Sequence, residues 1–275
     1  MHWQWPVGAA LAFLLALATT PAGVSGAVLL LPIQLSVLHV PSPSITPTNL
    51  LFNVAATPGG LLRFARERRL RGPLARRLVA GTLPGVVAGA ILRVEVFSGQ
   101  RGFTLIAGLV LLPLGLWLLV GAQSIARPRP APTPRHRHAT WLLALVVGTI
   151  GGLYGIGGGS LLAPILIALG YSVYEVAPAT LAATFLTSVA GIATYQVLQA
   201  IHGGTIAPQW ILGIWLGAGG FAGSYCGARL QQRLPERNLR RLLGLIACIV
   251  AARYLQTAAT STTSRPQPVR HAPSA

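Results

Sequence analysis

The stretch from Trp141 to Leu169 carries no charged residue and is interrupted at its middle by Gly155-Ile-Gly-Gly-Gly159. That combination restricts the chain more than anything else in it. As one straight α-helix the stretch would run about 44 Å at 1.5 Å per residue, against a hydrocarbon core of about 30 Å. Glycine inside a helix costs about 1 kcal/mol relative to alanine. The segment is therefore expected to divide into two half-helices around a bent or re-entrant break. A second uncharged segment, Pro6 to Leu38, has the same excess of length and carries Gly23-Val-Ser-Gly26. Further apolar stretches run over Leu51–Leu62, Leu74–Leu92, Phe103–Ala126, Val176–Leu198, Ile206–Ala228 and Leu242–Leu255.

With 53% hydrophobic and 9% charged residues, against about 25% charged in soluble domains, the chain reads as a polytopic membrane protein. The net charge of +17 does not point to nucleic acid, because the arginines lie between apolar stretches, at Arg63–Arg77, Arg127–Arg137 and Arg229–Arg241. Such flanking clusters mark cytoplasmic loops. Met1 to Pro6 has no Lys or Arg and the apolar stretch continues past Thr20 to Leu31, so the first apolar run is expected to be a retained membrane segment rather than a signal peptide. Cys226 and Cys248 sit in apolar stretches, where cysteine acts as a small hydrophobe, and no disulfide framework or metal site is expected.

The chain repeats itself. Thr46-Pro-Thr-Asn-Leu50, with Asn53, Thr57 and Gly60, parallels Ala177-Pro-Ala-Thr-Leu181, with Thr184, Ser188 and Gly191. Gly81, Gly85 and Gly89 parallel Gly219, Gly223 and Gly227, and Gly23, Gly26 and Pro32 parallel Gly155, Gly158 and Pro164. Were Trp141–Leu169 a single crossing, the arginine loop 229–241 would lie outside and the uncharged loop Gln199–Pro208 inside. If the segment returns to its starting side, every arginine cluster becomes cytoplasmic. The fold expected is all-α, with two inverted structural repeats, each having one Gly-broken segment, re-entrant or bent, plus three transmembrane helices. The corresponding divisions are an N-terminal membrane repeat at 1–126, an Arg/Pro-rich cytoplasmic linker at 127–138, a C-terminal membrane repeat at 139–258 and a disordered tail at 259–275. Parallel repeats with eight plain spans are the alternative topology.

The glycine run does not fit a nucleotide loop, since a Walker loop needs a lysine and this chain has none. A half-helix starting near Ser160 would still present uncapped N–H groups and a positive dipole end to a small anion. Broken helices at the midplane are where secondary transporters hold substrate. Candidate substrate-binding residues are therefore Gly155, Gly157, Gly158, Gly159 and Ser160, with the neutral polar residues Asn49, Asn53, Thr180, Thr184 and Ser188. Close helix packing and interhelical hydrogen bonding are the alternative uses of these same residues. The two glycine ladders read as helix-packing faces, and Trp117, Trp141 and Trp210 as interfacial anchors. His39 and His202 lie near segment ends, where solvated histidines are expected. Carboxylates are scarce and absent from segment centres, which argues against a proton relay. No catalytic constellation is present, so no enzyme activity and no cofactor are expected.

Gly151-Gly-Leu-Tyr-Gly-Ile-Gly-Gly-Gly-Ser160 with Pro164, Pro21-Ala-Gly-Val-Ser-Gly-Ala-Val-Leu-Leu-Leu-Pro32, and Pro47-Thr-Asn-Leu-Leu-Phe-Asn53 with Ala56-Thr-Pro-Gly-Gly60 together resemble the TauE/SafE sulfite-exporter family of membrane permeases. The resemblance implies a plasma-membrane carrier for sulfite, sulfonates or sulfoacetate that works without ATP hydrolysis. Alternating access is the expected mechanism. The expected partners are the bilayer and a small anionic substrate, with a homo-oligomer left open. A non-transporting scaffold using its arginine loops, or an anion channel, are the competing readings.

Overall fold

The computed structural model describes residues 4–38, 40, 44–70, 73–96, 134–203, 206–233 and 235–260, with helical residues at 105, 108–109, 112–113, 115–116 and 119–120. Trp117, His39, residues 127–133 of the expected linker and residues 261–275 of the expected tail lie outside the described residues. The described residues are almost wholly helical: α1 Gln4–Thr19, a 3₁₀ turn Thr20–Ala22, α2 Ala27–Ser36, α3 Ile45–Arg66, α4 Pro73–Glu95, α5 Pro134–Tyr154, α6 Gly158–Ala168, α7 Val173–His202, α8 Trp210–Gln231 and α9 Glu236–Thr260. Four of these segments are long and apolar enough to cross a membrane: Trp5–Ala22, Pro73–Glu95, Val173–His202 and Trp210–Gln231. Residues Thr140–Tyr154 and Gly158–Ile167 form shorter apolar helices.

The ends of the helices follow from local chemistry. Ser172 caps α7 by accepting a hydrogen bond from the Tyr174 N–H at 3.3 Å, and Glu175 adds a favourable charge in the first turn. Pro178 lies inside α7 and has no N–H to give the carbonyl four residues back, which belongs to Tyr174. The Arg69 guanidinium, arriving from beyond the end of α3, donates to that freed carbonyl instead. Thr57, Thr82, Thr149 and Thr187 turn their hydroxyls back onto their own helices, so these polar groups need no outside partner within an apolar bundle.

At the middle of the bundle α3 packs against α7. The two run in opposite directions: Arg69, just past α3, meets Tyr174 at the start of α7, and Leu50 near the start of α3 packs with Tyr195 toward the end of α7. On either side α8 lies between α3 and α1, and α4 lies between α7 and α5. The glycine ladders make both outer contacts. Gly85 and Gly89 of α4 rest on backbone of Leu145 and Thr149 in α5, while Gly219, Gly223 and Gly227 of α8 rest on backbone of Ala9, Phe13 and Leu17 in α1. Without side chains the backbones approach closely enough for Cα–H to carbonyl contacts. Gly213 and Gly217, on the other face of α8, seat Leu51 and Ala55 of α3. α9 covers α2, with Tyr254 donating to the Val28 carbonyl at 3.4 Å, and packs through Gly244 against Gly115 and Leu119. Lipid-facing positions are apolar: Leu142, Val146, Val197, Ile211, Ile214 and Ile249 are exposed, as are Trp141 and Trp210.

Candidate functional site

α5 stops at Tyr154 and α6 starts at Gly158. Between them the backbone turns through Gly155 (φ +69°) and Gly157 (φ +73°), left-handed values that side-chain-bearing residues rarely adopt. A Cβ on Gly157 would lie 2.8 Å from the Thr184 methyl and 3.0 Å from Ser188 Oγ, and one on Gly158 would lie 2.6 Å from Thr82 Cβ. The break therefore sits directly against the middle of α7 and against α4. The other uncharged segment behaves alike: α1 ends in the 3₁₀ turn, Gly23 takes φ +76°, and α2 starts at Ala27. Gly23 is pressed against Ala177 and Thr180, about two turns of α7 away from Gly157.

The two breaks meet in the core. The backbone N–H of Ser25 donates to Ser160 Oγ at 3.3 Å, and Ser160 Oγ lies 3.2 Å from Thr184 Oγ1. Ser25 also donates its hydroxyl hydrogen to Asn53 Oδ1, and Asn53 Nδ2 reaches the Gly155 carbonyl at 3.5 Å. In return Thr180 of α7 donates to the Gly23 carbonyl at 2.9 Å. Thus α3, through Asn53, and α7, through Thr180 and Thr184, each bond to both breaks. Of the sequence-derived candidates, Gly155, Gly157, Gly158, Gly159, Ser160, Asn53, Thr180, Thr184 and Ser188 are brought to this junction. Asn49 is placed elsewhere: it donates to the Ala27 carbonyl at 3.0 Å and accepts from Gln34 Nε2 at 3.2 Å, so it braces α2.

Two members were not singled out from the sequence. Ser25 links both breaks, and Thr187 accepts the Gly158 N–H at 3.1 Å. Ser25 could have been found as the serine inside the first glycine pair. Thr187 was hidden because it lies outside the Thr180, Thr184 and Ser188 spacing that the repeat picked out. Ser188 Oγ is fully buried with no hydrogen-bond partner. A buried hydroxyl left so costs about 1–3 kcal/mol.

No charged side chain is needed to make the junction electropositive. α2 starts at Ala27 and α6 at Gly158; their N-cap glycines have no side chain, and the first N–H groups go to neutral hydroxyls, Ala27 to Ser25 Oγ at 3.2 Å and Gly158 to Thr187 Oγ1 at 3.1 Å, while each helix N-terminus carries about half a positive charge. Carboxylates stay away: Glu67, Glu95 and Glu175 lie at or next to the ends of α3, α4 and α7. No cluster of potential metal ligands occurs among the described residues. The arrangement suits a small anion held by neutral donors.

Among the described residues, the ion pairs Glu67–Arg63, Glu67–Arg69 and Glu95–His202 lie at the two ends of the bundle. At one end Arg69 donates to Gln231 Oε1 at 2.7 Å and to the Tyr174 carbonyl, and lies over the rings of Phe64 and Tyr174. Gln231 Nε2 in turn donates to the Pro21 carbonyl at 2.7 Å, so this end ties α3, α7, α8 and the first break together. Glu67 pairs with Arg63 at 2.6 Å and with Arg69 at 3.4 Å. At the opposite end Glu95 of α4 meets His202 of α7 at 2.9 Å, with both side chains exposed. His202 therefore has a carboxylate neighbour across the helix pair.

Residues 8–254 match the family model described as sulfite exporter TauE/SafE. A stretch of 114 residues is 26% identical to the probable membrane transporter protein YunE of Bacillus subtilis (strain 168), covering 41% of this chain and 39% of that protein.

Proposed function

The chain belongs to the sulfite exporter TauE/SafE family and is a multi-pass membrane transporter, and from this premise we propose that it carries small sulfur-containing oxyanions, sulfite or sulfonates, across the plasma membrane by alternating access. The observation that carries the proposal is the contact of Ser25 with Ser160. It joins the N-terminal ends of two half-helices inside an apolar bundle, and two such ends supply about one elementary charge of positive potential in total. That potential complements a monoanion without a charged side chain at the junction itself.

The topology in this proposal is an inverted repeat with re-entrant hairpins α1–α2 and α5–α6. Three observations support it. The equivalent helices α3 and α7 run antiparallel, the glycine ladder of each half seats the first helix of the other half, and Arg66, Arg69 and Gln231 gather at one end while Glu95 and His202 occupy the other. With the arginine end cytoplasmic, rocking of the ladder-packed group α1, α3 and α8 against the group α4, α5 and α7 would open the Ser25–Ser160 junction to one side and then the other.

Reconstitution into proteoliposomes tests the reading. Saturable sulfite flux is expected from the wild type, with Asn53→Ala and Ser160→Ala lowering it about tenfold, the worth of one charge-assisted hydrogen bond. Thr194→Ala, whose hydroxyl only bonds back to Ala190 of its own helix, serves as the neutral control. Full flux in both site variants, or flux that never saturates, would overturn the carrier site.

A further inference from the structure

Arg93 is 2% exposed and is the one fully buried charge among the described residues. It lies in the last turn of α4. One turn earlier Gly89 sits on the backbone of Thr149 and Leu153, so Arg93 faces the last turn of α5, where Tyr154 immediately precedes the Gly155 break. Ala90 and Val94 of the same turn pack with Tyr195 of α7, whose hydroxyl donates to the Gly152 carbonyl at 3.1 Å. Tyr195 thus stands beside this turn of α4, and Tyr154 ends the helix that Arg93 faces. The C-terminal end of α4 adds a negative dipole that favours a cation there.

The repeat supplies a comparison within the molecule. Continuing the match of Gly81, Gly85 and Gly89 with Gly219, Gly223 and Gly227 aligns Arg93 with Gln231, and both are buried. Gln231 bridges to Pro21, two residues before the first break, with a neutral amide. An amide thus meets the structural need at this place in the fold. A guanidinium in its stead carries a desolvation cost that bridging alone does not explain, and ionisable residues inside membrane bundles mark substrate pathways. A guanidinium matches an oxyanion through two parallel hydrogen bonds.

We propose that Arg93, flanked by Tyr154 and Tyr195, is a second anion-binding site, one that receives a small oxyanion at the end of the bundle remote from the arginine-rich loops and passes it to the adjacent Gly155–Ser160 break. The proposal rests on the carrier reading. When that end of the bundle opens, the guanidinium exchanges its present protein partners for the anion.

Arg93→Gln installs the residue type found at the parallel position, so it is expected to fold. Sulfite flux is measured from each face of oriented proteoliposomes. From the Glu95/His202 face KM is expected to rise about 10- to 100-fold with kcat little changed, the worth of one lost charged hydrogen-bond pair, while from the opposite face, where the transport equilibrium requires the same loss in kcat/KM, it appears in kcat and leaves KM unchanged. Sulfite-dependent thermal stabilisation in detergent should be reduced in the same variant. A wild-type KM from that face, or an equal rise from both faces, would overturn the site. Should Arg93→Gln not give a monodisperse protein, Arg93→Lys decides: it keeps the charge without the fork, and an unchanged KM refutes the proposal. If the wild type carries no sulfite the carrier reading itself falls, and the melting shift still judges Arg93. Absence of a sulfite-dependent shift in the wild type would overturn the site independently.

Discussion

Gly148→Ala measures how tightly the two halves are pressed together. A Cβ at Gly148 of α5 would lie 2.5 Å from the Thr82 carbonyl oxygen, 2.7 Å from its Cα and 3.0 Å from its carbonyl carbon in α4, where ordinary van der Waals contact begins at 3.4 Å. All three atoms are backbone, so no rotamer change relieves the overlap, and α5 must move off α4 by about 0.9 Å, the shortfall at the carbonyl oxygen. Overpacking of this kind costs about 1–3 kcal/mol. Separation also weakens the Cα–H to carbonyl contacts along the ladder, at about 0.5–1 kcal/mol each. Alanine's better helix propensity returns about 1 kcal/mol, leaving a net loss of about 1–3 kcal/mol. Gly8→Ala is the matched control, because the one tight contact of its Cβ is the Leu216 methyl at 3.0 Å, the mobile end of a side chain, with Leu38 Cδ1 at an ordinary 3.9 Å. The assay is thermal unfolding in detergent followed by size-exclusion chromatography. A clear fall in midpoint for Gly148→Ala and a midpoint at or above wild type for Gly8→Ala is expected. Equal behaviour of the two variants would refute the close-packing argument.

Arg69→Gln should destabilise the protein by about 2–4 kcal/mol in chemical unfolding, because it leaves the Tyr174 carbonyl, already without a helix donor, and Gln231 Oε1 both lacking a charged donor. Pro178→Ala restores an N–H for that carbonyl, and the double variant is expected to recover part of the loss. Glu95→Gln should change stability by less than about 0.5 kcal/mol, since the pair with His202 is exposed. A cysteine placed at Gln209 is expected to react with impermeant maleimide from outside the cell, while one at Arg233 reacts only after permeabilisation; the reverse pattern would defeat the inverted topology.

The sequence made the membrane class legible through runs of uncharged residues such as Trp141–Leu169, and the glycine ladders through their spacing of four. Helix ends were less visible. α5 starts at Pro134, within a stretch rich in proline, arginine and histidine that reads as a linker, because proline suits the first turn of a helix and hydropathy does not mark where a polar helix end begins. At the junction, Asn53 and Ser160 were accessible from repeat offsets and the glycine motif. The turning of Asn49 toward α2 was not, since an asparagine's rotamer depends on which carbonyl lies nearby, here that of Ala27. Arg93 escaped notice for a related reason. As a residue type it resembles the loop arginines, and only the closeness of α4 to α5, permitted by Gly85 and Gly89, encloses it.

The crossed packing of the glycine ladders also governs how the chain can be made. The groove for α1 lies on α8, whose first residue, Trp210, is synthesised long after Thr19. Until α8 arrives, α1 must rest in lipid with its seam uncovered, and α4 likewise waits for α5. Neither half encloses its own first helix, so a chain cut between them should assemble only when both pieces are co-expressed, and arrest before α8 should leave the N-terminal hairpin open to membrane proteases.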